Sequence, residues 1–131
     1  ARLRMTTLYQ VAAANKGIVV GTGNKVEDFG VGFYTKYGDG GVDISPIADC
    51  NKTEVWELGK ELGILKEIID APPTDGLWDD GRTDEGQLGF KYSELEDAMG
   101  NPNSPHREQY EKIRNQNLHK MEPIPVCKIP S

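Results

Sequence analysis

A short run of β-branched residues, Ile18-Val19-Val20, is followed at once by a glycine-rich polar segment, and this order restricts the fold more than any other feature. Such a run suits a buried strand of a parallel sheet. Before it, apolar residues from Leu3 onward recur at near-helical spacing, and Gly17 is placed as a C-terminal cap. Helix, buried strand and glycine loop in this order predict an α/β fold: an open parallel sheet with helices on both faces.

Capping and terminating residues predict the remaining elements. They are a strand over Asp43 to Pro46, a helix from the Asn51/Glu54 capping box to Gly63, a short helix over Leu65 to Ile69, a helix from a Ser93/Glu96 capping box to Gly100, and a helix from Ser104 to about Leu118. Residues 71–91 are rich in Pro, Asp, Gly and Thr, which predicts a mobile loop. Residues 122–131 carry three prolines and predict an extended tail. We expect residues 1–131 to form a single domain.

Composition narrows the class of protein. A net charge of −6 over 131 residues argues against a nucleic-acid binder, which usually has a basic face. No apolar run reaches the roughly 20 residues that a membrane-spanning helix needs. Cys50 and Cys127 form no zinc-binding pattern, so we expect free thiols in a reducing cytoplasm. Because the chain begins with Ala1 inside a predicted helix, we expect it to be part of a longer protein.

One group of polar residues suits a polyphosphate. Thr22 lies in a glycine turn after a strand, Lys52 in the first turn of a helix, and Thr74 directly after two prolines. Hydroxyls, amides and an ammonium at such positions can hold phosphate, and Glu27 can provide an oxygen ligand for the accompanying Mg²⁺. Taken singly, Thr22 and Lys52 are more typical of a turn residue and a solvated surface charge than of a binding site.

A second group lies between and after these positions. Asp39 is flanked by glycines, so that it can accept a hydrogen bond or orient a nucleophile, and Lys36 and Asp43 lie on either side of it. The Gly38–Gly41 segment is also typical of a hairpin turn. His119-Lys120 forms a cationic pair near the end of a helix, where such residues commonly interact with the helix dipole alone.

Seven segments of the chain together resemble bacterial NAD synthetases, and they occur in the same order. They are ARLRM, VVGTGNKVED, FYTKYGDGGVDISPI, NKTEVWELGKELG, PPTDGLW, TDEGQLGFKYSELED and the HK pair at 119–120. The resemblance covers nearly the whole chain. It implies an adenine-nucleotide α-hydrolase-like fold of the ATP pyrophosphatase type, acting as a homodimer.

The resemblance also implies a role for each matching residue. Thr22, Lys52 and Thr74 contact ATP, and Glu27 holds magnesium. Asp39 handles ammonia. The residues implied to bind deamido-NAD, in part together with the partner subunit, are Arg2, Phe33, Lys36, Asp43, His119 and Lys120. In the implied reaction the nicotinate carboxylate attacks the α-phosphate of ATP, pyrophosphate leaves, and ammonia displaces AMP.

Two departures from the family pattern accompany the resemblance. The segment between Glu27 and Lys36 is one residue longer than usual, and the Ser-Gly-Gly-x-Asp-Ser pyrophosphate loop is absent. The chain therefore resembles the C-terminal half of the enzyme, and we expect it to be inactive alone. Two alternatives stay open: a glutamine-dependent synthetase with an upstream amidase domain, and a non-catalytic nucleotide-binding module. The sequence preceding Ala1 would distinguish them.

Overall fold

The computed structural model describes residues 1–130, and this part of the chain is mainly helical. Its helical elements are α1 (Arg2–Ala14), a π-helix (Val26–Val31), α2 (Lys52–Glu61), α3 (Lys66–Ile69), α4 (Asp84–Leu88), α5 (Tyr92–Gly100) and α6 (Arg107–Met121). Every helix predicted from the sequence is therefore present, together with two short elements, the π-helix and α4, that were not predicted.

The two predicted strands lie side by side and parallel, but they form a single bridge, between Val20 and Ile44. The Gly21 amide donates to the Ile44 carbonyl at 2.7 Å, and the Asp43 amide donates to the Val19 carbonyl at 2.9 Å. The side chains of Val20 and Ile44 remain 52% and 46% exposed. An open sheet with helices on both faces is thus not confirmed within residues 1–130, because two short strands without neighbours cannot extend a ladder.

Local sequence signals predicted both ends of α2 correctly. The Asn51 amide donates to Glu54 at 2.7 Å, which confirms the predicted capping box of α2. After α2, Gly63 adopts a φ of +68°, a left-handed conformation that glycine tolerates without strain. At the end of α1 the left-handed residue is Lys16, and Gly17 instead donates its amide to the Ala12 carbonyl.

The second predicted capping box is wrong. Helix α5 begins one residue before Ser93, and there the Lys91 amide donates to Glu94 at 2.8 Å. Glu96 has a different role, because it accepts hydrogen bonds from the amide and the hydroxyl of Thr53 at 3.0 and 2.7 Å. This carboxylate joins α5 to the first turn of α2 and holds that helix start in place.

The segment with the additional residue forms the π-helix. In a π-helix each hydrogen-bonded turn contains one residue more than in an α-helix, and such turns are frequent at functional sites. The Phe33 amide closes the end by donating to the Glu27 carbonyl at 2.8 Å, and Gly32 provides the left-handed turn with a φ of +66°. The longer segment is therefore accommodated within a turn of helix.

The core joins the π-helix, α5 and α6. Its buried members are Val26, Val31, Phe90, Tyr92, Leu95, Ala98 and Tyr110. Trp56 packs against this cluster. By contrast, α1 buries no residue, and its Leu3 is 86% exposed. Among the described residues, no helix is both long enough and apolar enough to cross a bilayer.

The long loop contains more structure than its composition indicates. Helix α4 forms within residues 71–91, and the Thr83 hydroxyl caps it by accepting from the Gly86 amide at 3.1 Å. The mobility of this loop stays a prediction. Residues 122–130 form neither helix nor strand, and Ser131, the end of the predicted tail, lies outside the described residues. Cys50 and Cys127 are both free thiols.

Candidate active site

An ion pair shielded from water forms the centre of the candidate site. The Lys52 Nζ donates to Glu27 Oε1 at 3.1 Å, and the two side chains are only 18% and 15% exposed. Glu27 belongs to the first turn of the π-helix, and Lys52 is the first residue of α2. The structure therefore brings together two of the four residues predicted to serve the phosphate and its metal ion, although they lie far apart in sequence.

Two further residues, Tyr92 and Asp84, complete this cluster. The Tyr92 hydroxyl donates to Glu27 Oε1 at 2.5 Å and lies 3.4 Å from Asp84 Oδ2. The other carboxylate oxygen of Asp84, Oδ1, is buried without a partner among the described residues. Burial raises the pKa of both Asp84 and Tyr92, and the charge of Glu27 raises each further. Neither residue was among the site residues predicted from the sequence, although both lie in the TDEGQLGFKYSELED segment.

Asn24 determines where Glu27 lies. This side chain is buried, and its Oδ1 accepts hydrogen bonds from the amides of Val26 and Glu27 at 3.0 and 3.1 Å. The role is that of a helix cap, for which asparagine is a preferred residue. An asparagine directly after a Gly-Thr-Gly turn is therefore a signal by which the sequence alone can identify it.

The other two predicted ATP-binding residues are exposed. The Thr74 hydroxyl donates to the Arg82 carbonyl at 3.1 Å and accepts from the Gly76 amide at 3.3 Å, so it holds the turn of its own loop. The residue before Thr74 accepts the Asp84 amide at 3.0 Å, which connects Thr74 to the Glu27 cluster through the backbone. Among the described residues, no hydrogen bond joins Thr22 to this cluster.

A second predicted group is assembled through backbone carbonyls. The Arg2 Nε donates to the Lys36 carbonyl at 3.1 Å, and the Lys36 Nζ donates to the His119 carbonyl at 2.5 Å. These contacts bring the start of α1 and the last turn of α6 together at Lys36. Three of the residues that the resemblance assigns to deamido-NAD thus lie together, in a region rich in positive charge.

Lys120 belongs to the same region and is partly shielded. Its Nζ donates to the carbonyls of Gly32 and Tyr34 at 2.8 and 2.7 Å, and the Tyr34 hydroxyl donates back to the Lys120 carbonyl at 2.5 Å. Burial lowers the pKa of Lys120, and the negative charge of Asp39 opposes this change. The charge of Asp39 is therefore near enough to affect the pKa of Lys120.

Close packing explains the glycines in the turn around Asp39. Asp39 Oδ1 accepts a hydrogen bond from the Thr35 amide at 2.9 Å, so the carboxylate braces its own turn. A Cβ at Gly40 would lie 2.5 Å from the ring of Tyr34. The glycines at 38–41 therefore permit close packing in a turn, and no hairpin of paired strands forms around them. Asp39 itself remains exposed.

The side chains of Asp43 and Phe33 make other contacts. Asp43 accepts hydrogen bonds from the Tyr9 hydroxyl at 3.2 Å and from the Val19 amide at 2.7 Å, which attaches α1 to the parallel strand pair. Phe33 packs against the core cluster. The binding roles of both residues stay predictions.

Asp28 connects the two groups electrostatically. Burial raises its pKa from 3.8 to about 6, and the negative charges of Glu27 and Asp39 add to this effect. Its carboxylate packs against Gly23, where an added Cβ would lie 2.3 Å from either oxygen. Gly23 is therefore required by a neighbouring side chain as well as by its turn. The adjacent acids Glu27-Asp28 are the sequence signal for this residue.

An open cleft of about 540 Å³ between the π-helix and α6 is lined by Lys25, Phe29, Met99, Arg107, Tyr110, Glu111, Arg114 and Asn115. No residue of the two predicted groups contributes to it.

The oxygen atoms near Lys52 fit a cation that brings further ligands of its own. Among the described residues, no three His, Cys, Asp or Glu side chains are grouped so as to hold a metal ion. Glu27 Oε1 and Asp84 Oδ2 nevertheless lie near one hydroxyl, that of Tyr92, and the other oxygen of Asp84, Oδ1, is unpaired among the described residues. Magnesium bound with a nucleotide typically uses one or two carboxylates, the phosphates and water. The residues present fit that mode.

Comparison with known proteins assigns the family. The sequence model of NAD synthase matches residues 1–129. An NH(3)-dependent NAD(+) synthetase of Alkaliphilus oremlandii is 44% identical over 98% of this chain and 52% of its own length. A second, from Carboxydothermus hydrogenoformans, is 52% identical over 72% of this chain and 38% of its own. The chain spans about half the length of the curated relatives it matches.

Two solved structures are similar to the fold. An NMN synthetase from Francisella tularensis has a TM-score of 0.90 and 39% identity, with 98% of this chain and 54% of that one covered. An NH3-dependent NAD synthetase from Campylobacter jejuni has a TM-score of 0.69 and 25% identity, with 98% and 53% covered. With the match over residues 1–129, these similarities show that the chain belongs to the NAD synthase family.

Proposed function

We propose that the protein containing this chain is an ammonia-dependent NAD synthetase, a ligase that converts deamido-NAD to NAD with ATP. The observation that carries the proposal is the shielded Glu27–Lys52 pair, which joins the start of a helix to an acid beside a glycine turn. The names of the relatives support ammonia as the nitrogen source, and they do not favour a glutamine-dependent enzyme or a non-catalytic module.

The first group of residues faces ATP. Lys52, Thr22 and Thr74 provide an ammonium and two hydroxyls for the triphosphate, and the first turn of α2 adds backbone amides with a favourable dipole. Glu27 is the ligand of magnesium, which when bound neutralises part of the phosphate charge. Because Lys52 is already paired with Glu27, both charges keep fixed positions before the nucleotide arrives.

The second group faces the dinucleotide. Arg2, Lys36, His119 and Lys120 form a cationic strip that suits its phosphates. Asp43 and Phe33 contribute at its margins, with Phe33 against the pyridine ring. Asp39 lies beside this strip, where a carboxylate would accept a hydrogen bond from ammonia and orient it.

The chemistry of amidation requires two steps. The nicotinate carboxylate oxygen forms a bond to the α-phosphorus of ATP, and the bond to pyrophosphate breaks. Ammonia then attacks the acyl carbon, and AMP leaves. The attacking nitrogen loses one proton to a base, which gives the neutral amide. Fixed cations stabilise the departing pyrophosphate, while exclusion of water protects the acyl-adenylate from hydrolysis.

The larger assembly is part of the proposal. The exposed apolar residues of α1 and of the Val20–Ile44 bridge suit an open parallel sheet with helices on both faces, completed by further strands. We place this enzyme in the cytoplasm as a homodimer, without a membrane or nucleic-acid partner.

A second candidate substrate follows from the structural comparison. The neighbour with a TM-score of 0.90 is an NMN synthetase, so amidation of the acid mononucleotide is the alternative. The two substrates differ by one adenylyl group and share the same reacting carboxylate. Comparing kcat/KM for deamido-NAD with that for nicotinate mononucleotide decides between them, and a higher value for the mononucleotide would overturn our assignment.

Single-turnover kinetics test the division of the site. In the full-length enzyme, Asp39→Ala should preserve the pyrophosphate burst and slow NAD formation roughly 100-fold or more, the usual effect of removing a group that handles protons. Lys52→Ala should instead weaken ATP binding or slow pyrophosphate release. Lys60→Ala, on the exposed face of the same helix, is the matched control and should change neither. Loss of the burst in Asp39→Ala, with a normal burst in Lys52→Ala, would refute the division.

A further inference from the structure

One carboxylate oxygen of Glu27, Oε1, accepts two hydrogen bonds, whereas Oε2 does not. Oε1 accepts hydrogen bonds from the Tyr92 hydroxyl at 2.5 Å and from the Lys52 ammonium at 3.1 Å. Within residues 1–130, no group donates to Oε2. A carboxylate that binds a metal ion through one oxygen commonly has the other oxygen fixed by hydrogen bonds, which set its orientation and basicity.

The Tyr92 ring has little freedom to move. It is 1% exposed, and it meets Trp56 edge to face, with ring centroids 6.2 Å apart and an interplanar angle of 78°. The Tyr92 amide donates to Glu85 at 3.0 Å, and the Lys52 Nζ lies 4.9 Å from the ring centroid. The hydroxyl is therefore presented to Glu27 from a rigid position, and it contacts α4 as well, through Asp84 at 3.4 Å.

A buried tyrosine commonly finds a hydrogen-bond partner for stability alone. Tyr92 differs because its partner is a charged carboxylate that is already paired with a lysine. A neutral acceptor elsewhere in the core would satisfy the hydroxyl at lower cost, since the carboxylate must be partly desolvated to receive it. The arrangement instead leaves Glu27 with one constrained oxygen and one oxygen available to a ligand.

We propose that Tyr92 is a positioning residue of this site: its hydroxyl, with the Lys52 ammonium, holds Oε1 of Glu27 and so directs Oε2 toward the cation that accompanies ATP. The inference rests on the proposed function for the identity of that cation and nucleotide. Tyr92 does not touch the reacting atoms, and it acts through Glu27.

The test compares Tyr92→Phe with Tyr110→Phe in the full-length protein. Tyr110 is also a buried core tyrosine, but its hydroxyl bonds no described residue, so its removal controls for the loss of a phenolic oxygen. Binding of Mn²⁺ in the presence of a non-hydrolysable ATP analogue is followed by electron paramagnetic resonance. The Mg²⁺ concentration for half-maximal activity, the KM for deamido-NAD and the thermal midpoint are measured in parallel.

Tyr92→Phe should weaken Mn²⁺ binding and raise the half-maximal Mg²⁺ concentration about tenfold or more, the usual effect of removing an outer partner of a metal ligand. The KM for deamido-NAD should stay unchanged, and Tyr110→Phe should alter neither cation measurement. A Mn²⁺ affinity within about twofold of the wild type would overturn the proposal, and so would an equal loss in both variants. If the wild type amidates neither nicotinate substrate, the proposed function fails, while the Mn²⁺ titration still decides the role of Tyr92.

Discussion

Replacing Asp28 with asparagine should stabilise the protein at neutral pH. In the folded chain burial, with the charges of Glu27 and Asp39, raises the pKa of the Asp28 carboxyl from 3.8 to about 6. The folded state therefore holds a proton over a pH range in which the unfolded state has lost it. By linkage, stability falls as the pH rises from about 4 to about 6 and stays at the lower value above that range.

The magnitude follows from the size of this change in pKa. Each pKa unit corresponds to about 1.36 kcal/mol, so two units set an upper limit of about 3 kcal/mol. Since Asp28 is only partly buried, screening by water reduces the expected gain to about 1–2 kcal/mol. Asparagine keeps the shape of the side chain and does not titrate, so the advantage of Asp28→Asn should grow between pH 4 and pH 6 and then remain constant.

Urea unfolding at a series of pH values, without nucleotide or divalent cation, measures this difference. The control is Asp79→Asn, which removes an acid from the exposed part of the long loop and so measures the effect of losing a surface carboxylate. An advantage of Asp28→Asn that is independent of pH would refute the linkage argument. A wild type that is more stable than the variant at pH 7.5 would also refute it, because it would show that the folded protein stabilises the charged carboxylate of Asp28.

Two further predictions concern the parts of the chain that hold the site. Asn24→Ala should lower the free energy of unfolding by about 1–2 kcal/mol, because the amides of Val26 and Glu27 lose their acceptor, and urea unfolding would reveal this loss. Asn103→Ala, in an exposed turn, is its control, and equal effects would contradict a capping role. Amides of residues 71–83 should exchange more slowly when ATP is bound, since few apolar side chains hold this loop, and unchanged exchange would contradict its closure over the nucleotide.

The parts of the fold that were predicted correctly depend on local chemistry. The capping box of α2 needs only residues three apart, and Gly63 ends that helix through its own backbone. The β-branched run at 18–20 and the segment at 43–46 do lie parallel. The Glu27–Lys52 pair could be predicted only in part. The residue types indicated that both could serve a phosphate and its metal ion, and the family resemblance placed them in one site.

The remaining features depend on contacts that no local pattern contains. Tyr92 meets Glu27 across 65 positions of sequence, because α5 packs on the π-helix through the core. The Ser93/Glu96 spacing satisfied the capping pattern, yet Glu96 is used by Thr53 on another helix. In such cases tertiary packing decides whether a glutamate caps its own helix or bonds a residue of another helix. The sequence pattern is the same for both outcomes.

The incomplete sheet has a simple physical origin. A parallel strand is stable when strands flank it and helices cover both of its faces, and within residues 1–130 the Val20–Ile44 bridge has neither. Ligands of open α/β sheets bind beyond the carboxyl ends of such strands, which is where the glycine turn and the π-helix follow Val20. The π-helix, α2, α4 and α5 need no sheet to meet, because they pack on one another or join through side-chain hydrogen bonds. Glu27, Lys52, Tyr92 and Asp84 are therefore brought together by contacts among these helices.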